Sequence, residues 1–436
     1  MSSWRSLPQA TTRRSAPPVP GSAAYRGLAP VRLDGGSARR LGTGTGPSFG
    51  GGRRRRGRRL LRRAFGAGSP LRRLDWILLG AVLALSLLGT LLVWSATDTT
   101  GLNGSDPFLT KQLLNVAIGL ALMAGVSMLD YRQLRLYSPF VLGLSCLGLL
   151  AVLTPLGSVV NGAKSWISLP GGFQIEPSEY AKLSIILVAA IILGEIRQGE
   201  TRPRLRAVAL TIGCCLVPLV LVVAEPDLGV VMLMLALMVG LIALSGIRLR
   251  WLVALVAGGA LGIVAVVKLH LLKAYQVSRL TAFLHPSADP RGTGYSAYQS
   301  KIAIGSGGWT GQGLFHGQLV AGGFVPEQHT DFIFAVAGEE IGFVGCLVII
   351  ALLAVVLLRA IRIAARADDQ FGMLVASGIA IWFAVQSFIN IGMTIGIMPV
   401  TGLPLPFVSY GGSAIFADMI AVGALQTVYR HRSVFA

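Results

Sequence analysis

The sequence predicts an all-α, polytopic membrane protein of about ten transmembrane helices. Three observations carry that prediction. Of the 436 residues, 53% are hydrophobic and only 13% are charged, with a mean hydropathy of +0.68. The apolar residues gather into runs long enough to cross a hydrocarbon core of ~30 Å, unlike the short alternating strands of an outer-membrane barrel. Arginines recur in alternate loops, which orients the helices.

Residues 1–73 come first and stand apart. They hold 17 Arg and one acid, Asp34, and end in "GGRRRRGRRLLRR". This Gly-, Ser-, Pro- and Arg-rich tail is predicted to be disordered. It accounts for most of the net charge of +19, leaving about +3 on the rest of the chain. A cytoplasmic arm resting on anionic lipid explains it, and no nucleic acid is needed. No signal peptide is expected, because the Arg cluster lies far from the start.

The membrane domain is read over residues 74–432. Spans lie near 75–97, 112–129, 137–156, 179–196, 206–224, 227–246, 251–268, 332–358, 371–396 and 411–429. An even number places both termini on one side, and the Arg-rich tail makes that side the cytoplasm. Arg132 and Arg135, Arg197 to Arg206, Arg248 and Arg250, Arg359 to Arg366, and Arg430 and Arg432 fall on the same side. Cys146, Cys214, Cys215 and Cys346 all lie in apolar runs without metal-ligand spacing, as small buried residues do.

Two outer loops hold the chemistry. The first, "GSVVNGAKSWISLPGGFQIEPSEYAK", carries Lys164, Trp166, Glu176, Glu179 and Lys182. Glu179 and Lys182 are an i,i+3 pair at a helix start. They are either a helix-end salt bridge or part of a rim where Trp packs on sugar and Lys meets phosphate. The second loop, about residues 269–331 between helices 7 and 8, is the longest, and Lys268, Lys273, Arg279, Arg291 and Lys301 lie in it or at its edge. That charge suits an anionic headgroup or a solvated surface equally. Its glycine-rich stretch "KIAIGSGGWTGQGLFHGQLVAGG" is able to bare backbone N–H groups to a phosphate, yet it lacks the P-loop pattern.

The loop closes on "FVPEQHTDFIFAVAGEEIGF". Asp331, beside Glu327, His329 and Thr330, is either a general base or a helix N-cap. Glu339 and Glu340 lie about two turns further on, where at least one of them is expected to pair with Lys or Arg inside the bundle. The Pro- and Gly-dense "MPVTGLPLPFVSYGGSA", residues 398–414, excludes regular helix and belongs against the outer site. "EPDLG", residues 225–229, breaks two spans on the same side, and Asp418 is an intramembrane acid without an evident partner. No Ser-His-Asp order, zinc motif or Walker sequence appears. The layout fits a protein that handles a lipid-linked anionic substrate, by transfer of the headgroup or by movement of the lipid.

Several separated motifs resemble the SEDS family (shape, elongation, division and sporulation proteins). They are "NGAKSWISL", "PSEYAKL", "PDLG", "RLTAFLHP", "GYSAYQSKIAIGSGGWTGQG", "VPEQHTDFIFAVAGEE" and "PVTGLPLPFVSYGGS", in order over about residues 73–430. "GQLVAGGFVPEQHTDFIF" is closer to the elongation (RodA) branch than to the division (FtsW) branch. The resemblance implies a ten-span peptidoglycan glycosyltransferase that polymerises lipid II at the outer face, working with a class B penicillin-binding transpeptidase and other elongation or division proteins. It places the essential acid on Asp331 and the loop tryptophan on Trp166. Lys164, Glu179, Lys182, Arg279, Gln299, Lys301 and Ser409 would line the cleft, with His329 and Thr330 beside the acid. Asp331 would take or position the acceptor hydroxyl proton, and a divalent cation (Mg or Mn) at the pyrophosphate is compatible with the reaction. Asp418 and His285, in "FLHP", depart from the family pattern. The rival reading is a lipid II flippase. It would call for inverted repeats and a midplane site, and neither is evident.

Overall fold

The computed structural model describes residues 74–97, 107–160, 163–169, 173–195, 203–225, 227–268, 277, 283 and 293–431. The Arg-rich tail, Arg279 and His285 lie outside the described residues.

The helices are α1 (Trp76–Thr97), α2 (Pro107–Met128), α3 (Tyr131–Leu153), α4 (Pro177–Gly194), α5 (Leu205–Ala224), α6 (Leu228–Leu244), α7 (Leu249–Lys268), α8 (Thr293–Ser306), α9 (Gln318–Ala321), α10 (Ile333–Glu340), α11 (Gly342–Ala365), α12 (Gln370–Ile395) and α13 (Gly412–His431). Among the described residues, eight are long and apolar enough to cross a membrane: α1 to α5 and α11 to α13. The expected sixth and seventh spans correspond to the shorter apolar helix α6 and to α7.

Polar groups mark the helix ends. Pro177 opens α4, where its missing N–H costs nothing. Asp227 caps α6 by accepting from Val230 N at 3.1 Å, and Asp369 caps α12 by accepting from Gly372 N at 3.0 Å. Gly396, at φ +82°, ends α12 in the left-handed conformation that glycine tolerates.

Contacts between chain-distant residues define two ends. At the arginine-bearing end, Asp75 pairs with Arg359 (Nη2–Oδ2 2.6 Å), and its backbone exchanges two hydrogen bonds with the Gln426 side chain. This pairing ties the first helix to the last. At the opposite end, the first outer loop adds what the all-α reading omitted. It is a small antiparallel meander of β1 (Gly157–Val160), β2 (Ala163–Leu169) and β3 (Phe173–Ile175). Ser158 stands opposite Trp166, and Ile167 opposite both Gly157 and Ile175.

The expected span 332–358 is two helices. Ile341 follows α10, and α11 opens on Gly342 at φ +68°. The glycine-rich stretch surrounds this break. Gln312 N and Gly313 N donate to the carbonyls of Glu339 and Glu340, while Phe343 N and Val344 N donate to those of Gly308 and Trp309. A Cβ on Gly342 would lie 2.3 Å from Gly311 N, and one on Gly307 would lie 1.9 Å from Gly338 O. These glycines therefore permit backbone-to-backbone packing at a helix break. The amides of Gly311 and Gly313 donate to the carbonyls of Gly307 and Glu340.

Candidate active site

Asp331 sits at the site-bearing end, in the turn that leads into α10. The N-cap position belongs to Phe332, so Asp331 is not the cap. Its backbone is held from several sides. Asp331 N donates to Glu327 O at 3.1 Å, and Asp331 O accepts from Asn390 Nδ2 of α12 at 2.9 Å. Glu327 takes φ +50°, which bends the chain so that three amides, those of Thr330, Asp331 and Phe332, converge on its carbonyl. The Asp331 carboxylate faces Gly402, where a Cβ would approach Oδ2 to 3.5 Å.

His329 and Thr330 shape the approach. The His329 ring meets Phe108 of α2 at 5.1 Å and Tyr410 at 5.5 Å between centroids, and Phe108 meets Tyr410 edge-on at 5.5 Å. Tyr410 N donates to His329 O at 2.9 Å, joining the segment before α13 to the Asp331 turn. Thr330 Oγ1 donates to Glu327 O at 3.2 Å.

The Pro-rich segment between α12 and α13 is irregular, as expected, and is held by side chains. Ser409 Oγ accepts from Leu405 N at 2.8 Å. Phe407 takes φ +64°, and its N–H points at Asp418 Oδ2, 3.4 Å away. Asp418 thus has the partner that the sequence did not reveal, a strained backbone amide. Gly89 of α1 lies against this segment, since a Cβ there would stand 2.4 Å from Val408 O.

Glu179 and Lys182 form a fully enclosed ion pair, Nζ–Oε2 2.6 Å. Lys182 also donates to Gln386 Oε1 at 3.0 Å and stands 4.8 Å from the Trp382 ring centroid. Of the two alternatives for this pair, the geometry is that of an internal ion pair, not an open rim. Just before α4, Glu176 is pushed well above the usual carboxylate range by burial, then by the charges of Glu179 and Asp227. Glu225, at the end of α5, is raised to about 8 by burial and by Asp227.

Other expected residues are dispersed. Lys164 on β2 spends its ammonium on the C-terminal carbonyls of α3, Thr154 O at 2.8 Å and Leu153 O at 3.3 Å. Trp166 is half-buried on the same strand. Gln299 and the exposed Lys301 lie on α8, where Lys301 Nζ reaches the Gly396 turn and Ser300 Oγ donates to Thr394 O at 2.9 Å.

Among the described residues, neither Glu339 nor Glu340 pairs with Lys or Arg. Glu339 accepts from Leu319 N at 2.8 Å and Val320 N at 3.1 Å, and Glu340 accepts from Ser95 Oγ at 2.5 Å. Backbone amides of the long loop, for Glu339, and a serine of α1, for Glu340, stand where the cation was expected. Among the described residues, no three His, Cys, Asp or Glu side chains converge to hold a metal ion. Asn390 and Gln386 were missed, because amides inside an apolar run carry no motif of their own.

A helical bundle with membrane-length apolar helices, and with acids, amides and aromatic rings gathered at one end, defines a multi-pass membrane protein with a polar site at that end. The chain belongs to the FtsW/RodA/SpoVE family, whose model, described as "Cell cycle protein", matches residues 75–434. The peptidoglycan glycosyltransferase MrdB of Escherichia coli K12 is 37% identical over 365 residues, covering 83% of this chain and 95% of the relative. The stage V sporulation protein E of Bacillus subtilis is 38% identical over 362 residues, covering 82% and 97%. A chain of a solved peptidoglycan synthase complex, described as coordinating polymerization and crosslinking, superposes with a TM-score of 0.70 at 31% identity, over 83% of this chain and 99% of that one. The chain is thus a peptidoglycan glycosyltransferase and a multi-pass protein of the bacterial inner membrane.

Proposed function

We propose that the chain polymerises lipid II at the outer face of the cytoplasmic membrane, with Asp331 at the chemistry. The supporting observation is the placement of Asp331. Its backbone is pinned by α12, its carboxylate faces Gly402, and the Phe108–His329–Tyr410 rings flank it. The 4-hydroxyl of the acceptor N-acetylglucosamine attacks C1 of the donor N-acetylmuramic acid. The bond from C1 to the pyrophosphate oxygen breaks with inversion, the hydroxyl proton passes to Asp331, and undecaprenyl pyrophosphate leaves. General-base help of this kind contributes about 10²–10⁴-fold.

Lys301, with Arg279 and Gln299, supplies charge and hydrogen bonds for the pyrophosphate, whose leaving oxygen gains charge in the transition state. Trp166 offers a sugar-stacking face. A divalent cation, Mg or Mn, would arrive on the pyrophosphate itself, since among the described residues no set of carboxylates is arranged to hold one. The partner in this reading is a class B penicillin-binding transpeptidase. The motif around Asp331 favours a role in cell elongation, alongside other membrane proteins of that complex, over the division-specific role. The Arg-rich tail adds a contact with anionic lipid.

The test is polymerisation by the purified protein with its transpeptidase partner, the partner's serine inactivated and lipid II supplied. Wild type is expected to give a glycan ladder on a gel, and a folded Asp331→Asn variant none. Equal ladders would remove Asp331 from the chemistry. No ladder from either, with lipid II crossing vesicle membranes, would make the chain a flippase.

A further inference from the structure

One face of α12 carries two amide side chains a turn apart, Gln386 and Asn390, both fully buried. Asn390 Nδ2 donates to two main-chain carbonyls, Leu403 O at 2.7 Å and Asp331 O at 2.9 Å. Gln386 Nε2 donates to the next carbonyl along, Pro404 O at 2.8 Å. Its Oε1 accepts from Trp382 Nε1 at 2.7 Å and Lys182 Nζ at 3.0 Å. The i,i+4 spacing puts both amides on one stripe.

Consecutive carbonyls of the Pro-rich segment are therefore gripped from one helix face. The grip reaches Asp331 through Asn390, and the Glu179–Lys182 pair through Gln386. Irregular backbone inside a membrane protein must find its hydrogen bonds locally, and any donor would meet that need. Sharing one amide between Leu403 and Asp331 does more, because it fixes two loops against each other. The neighbour of Leu403 is Gly402, the residue that the Asp331 carboxylate faces.

We propose that Asn390 and Gln386 are positioning residues for the glycosyl transfer. They fix the Asp331 turn through the backbone of Leu403 and Pro404 and brace it on the enclosed Glu179–Lys182 pair. Neither touches substrate in this account. The inference rests on the role assigned to Asp331 above. A misplacement of about 1 Å at a reacting group costs about 10²-fold in rate, so the expected effect falls on kcat.

The test uses the full chain with its inactivated transpeptidase partner and lipid II as substrate, comparing wild type, Asn390→Leu, Gln386→Leu, the double variant and Asp331→Asn. Asn390→Leu is expected to lower kcat about 10–100-fold while KM stays within about twofold. The double variant is expected to lose less than the product of the two single losses, because both act through one backbone segment. Should Asn390→Leu fail to fold, Asn390→Asp, which keeps the shape and gives up the amide donor, carries the same comparison. A folded Asn390 variant with wild-type kcat, beside an inactive Asp331→Asn, would overturn the positioning role and leave the polymerase reading intact. An active Asp331→Asn would remove both. Independent, multiplicative losses would break the proposed link between the two amides.

Discussion

The Glu179–Lys182 pair shows what a single buried charge demands. Both side chains are enclosed, and their contact is 2.6 Å. Removing one partner of such a pair strands the other, at a cost of about 3–5 kcal/mol. Lys182→Met is therefore expected to lower the thermal midpoint in detergent sharply. The double variant Glu179→Gln/Lys182→Met should recover a large part of the loss, and a double variant no more stable than Lys182→Met would show that the carboxylate is satisfied by other means. Not all of this was legible in the residues. The i,i+3 spacing of an acid and a base is visible in any sequence, but the burial that turns a weak surface bridge into a high-stakes contact comes from α12. Its contribution, Gln386 and Trp382, lies about 200 residues away.

The broken span is the feature of the elements that sequence reading misjudged. The run 332–358 has the composition of one helix, and helical periodicity does not see a single residue with positive φ. Gly342 supplies that residue at φ +68°, and its neighbourhood leaves no room for a side chain. The glycine-rich stretch fits the break because its own backbone amides and carbonyls pair with those freed in α10 and α11. Glu339 follows the same logic, spending its carboxylate on the first amides of α9. A phosphate cradle and a helix-break clasp use the same residue, glycine, for the same permissiveness, so composition does not separate them. Gly342→Ala faces both the left-handed backbone and a contact at 2.3 Å. It is expected to destabilise the fold by about 1–3 kcal/mol and to lower activity, because α10 continues directly from Asp331. A variant with unchanged thermal midpoint and unchanged polymerisation would mean that the break adapts freely.

At the level of the whole chain, the spanning helices were legible because hydropathy acts over whole segments. The acids that stack at the site-bearing end were legible only as letters. Glu176, Glu225 and Asp227 come from two loops, and folding brings them within electrostatic reach of one another. Their gathering gives the molecule a pH dependence with a definite sign. The Glu225 carboxyl sits at about 8 in the folded chain, raised from 4.5 by burial and then by Asp227. The folded state therefore keeps a proton that the unfolded chain releases near the ordinary value. The stabilisation tied to that proton is complete below about pH 4.5 and is lost as pH climbs toward 8. Glu176, raised in the same direction, adds to the trend. Between pH 5 and 8.5 the thermal midpoint of the detergent-solubilised protein should fall. Glu225→Gln should flatten that fall, since an amide remains neutral throughout. A midpoint that rises over this window, or a Glu225→Gln profile parallel to wild type, would mean that the site-bearing end holds Glu225 ionised and paired.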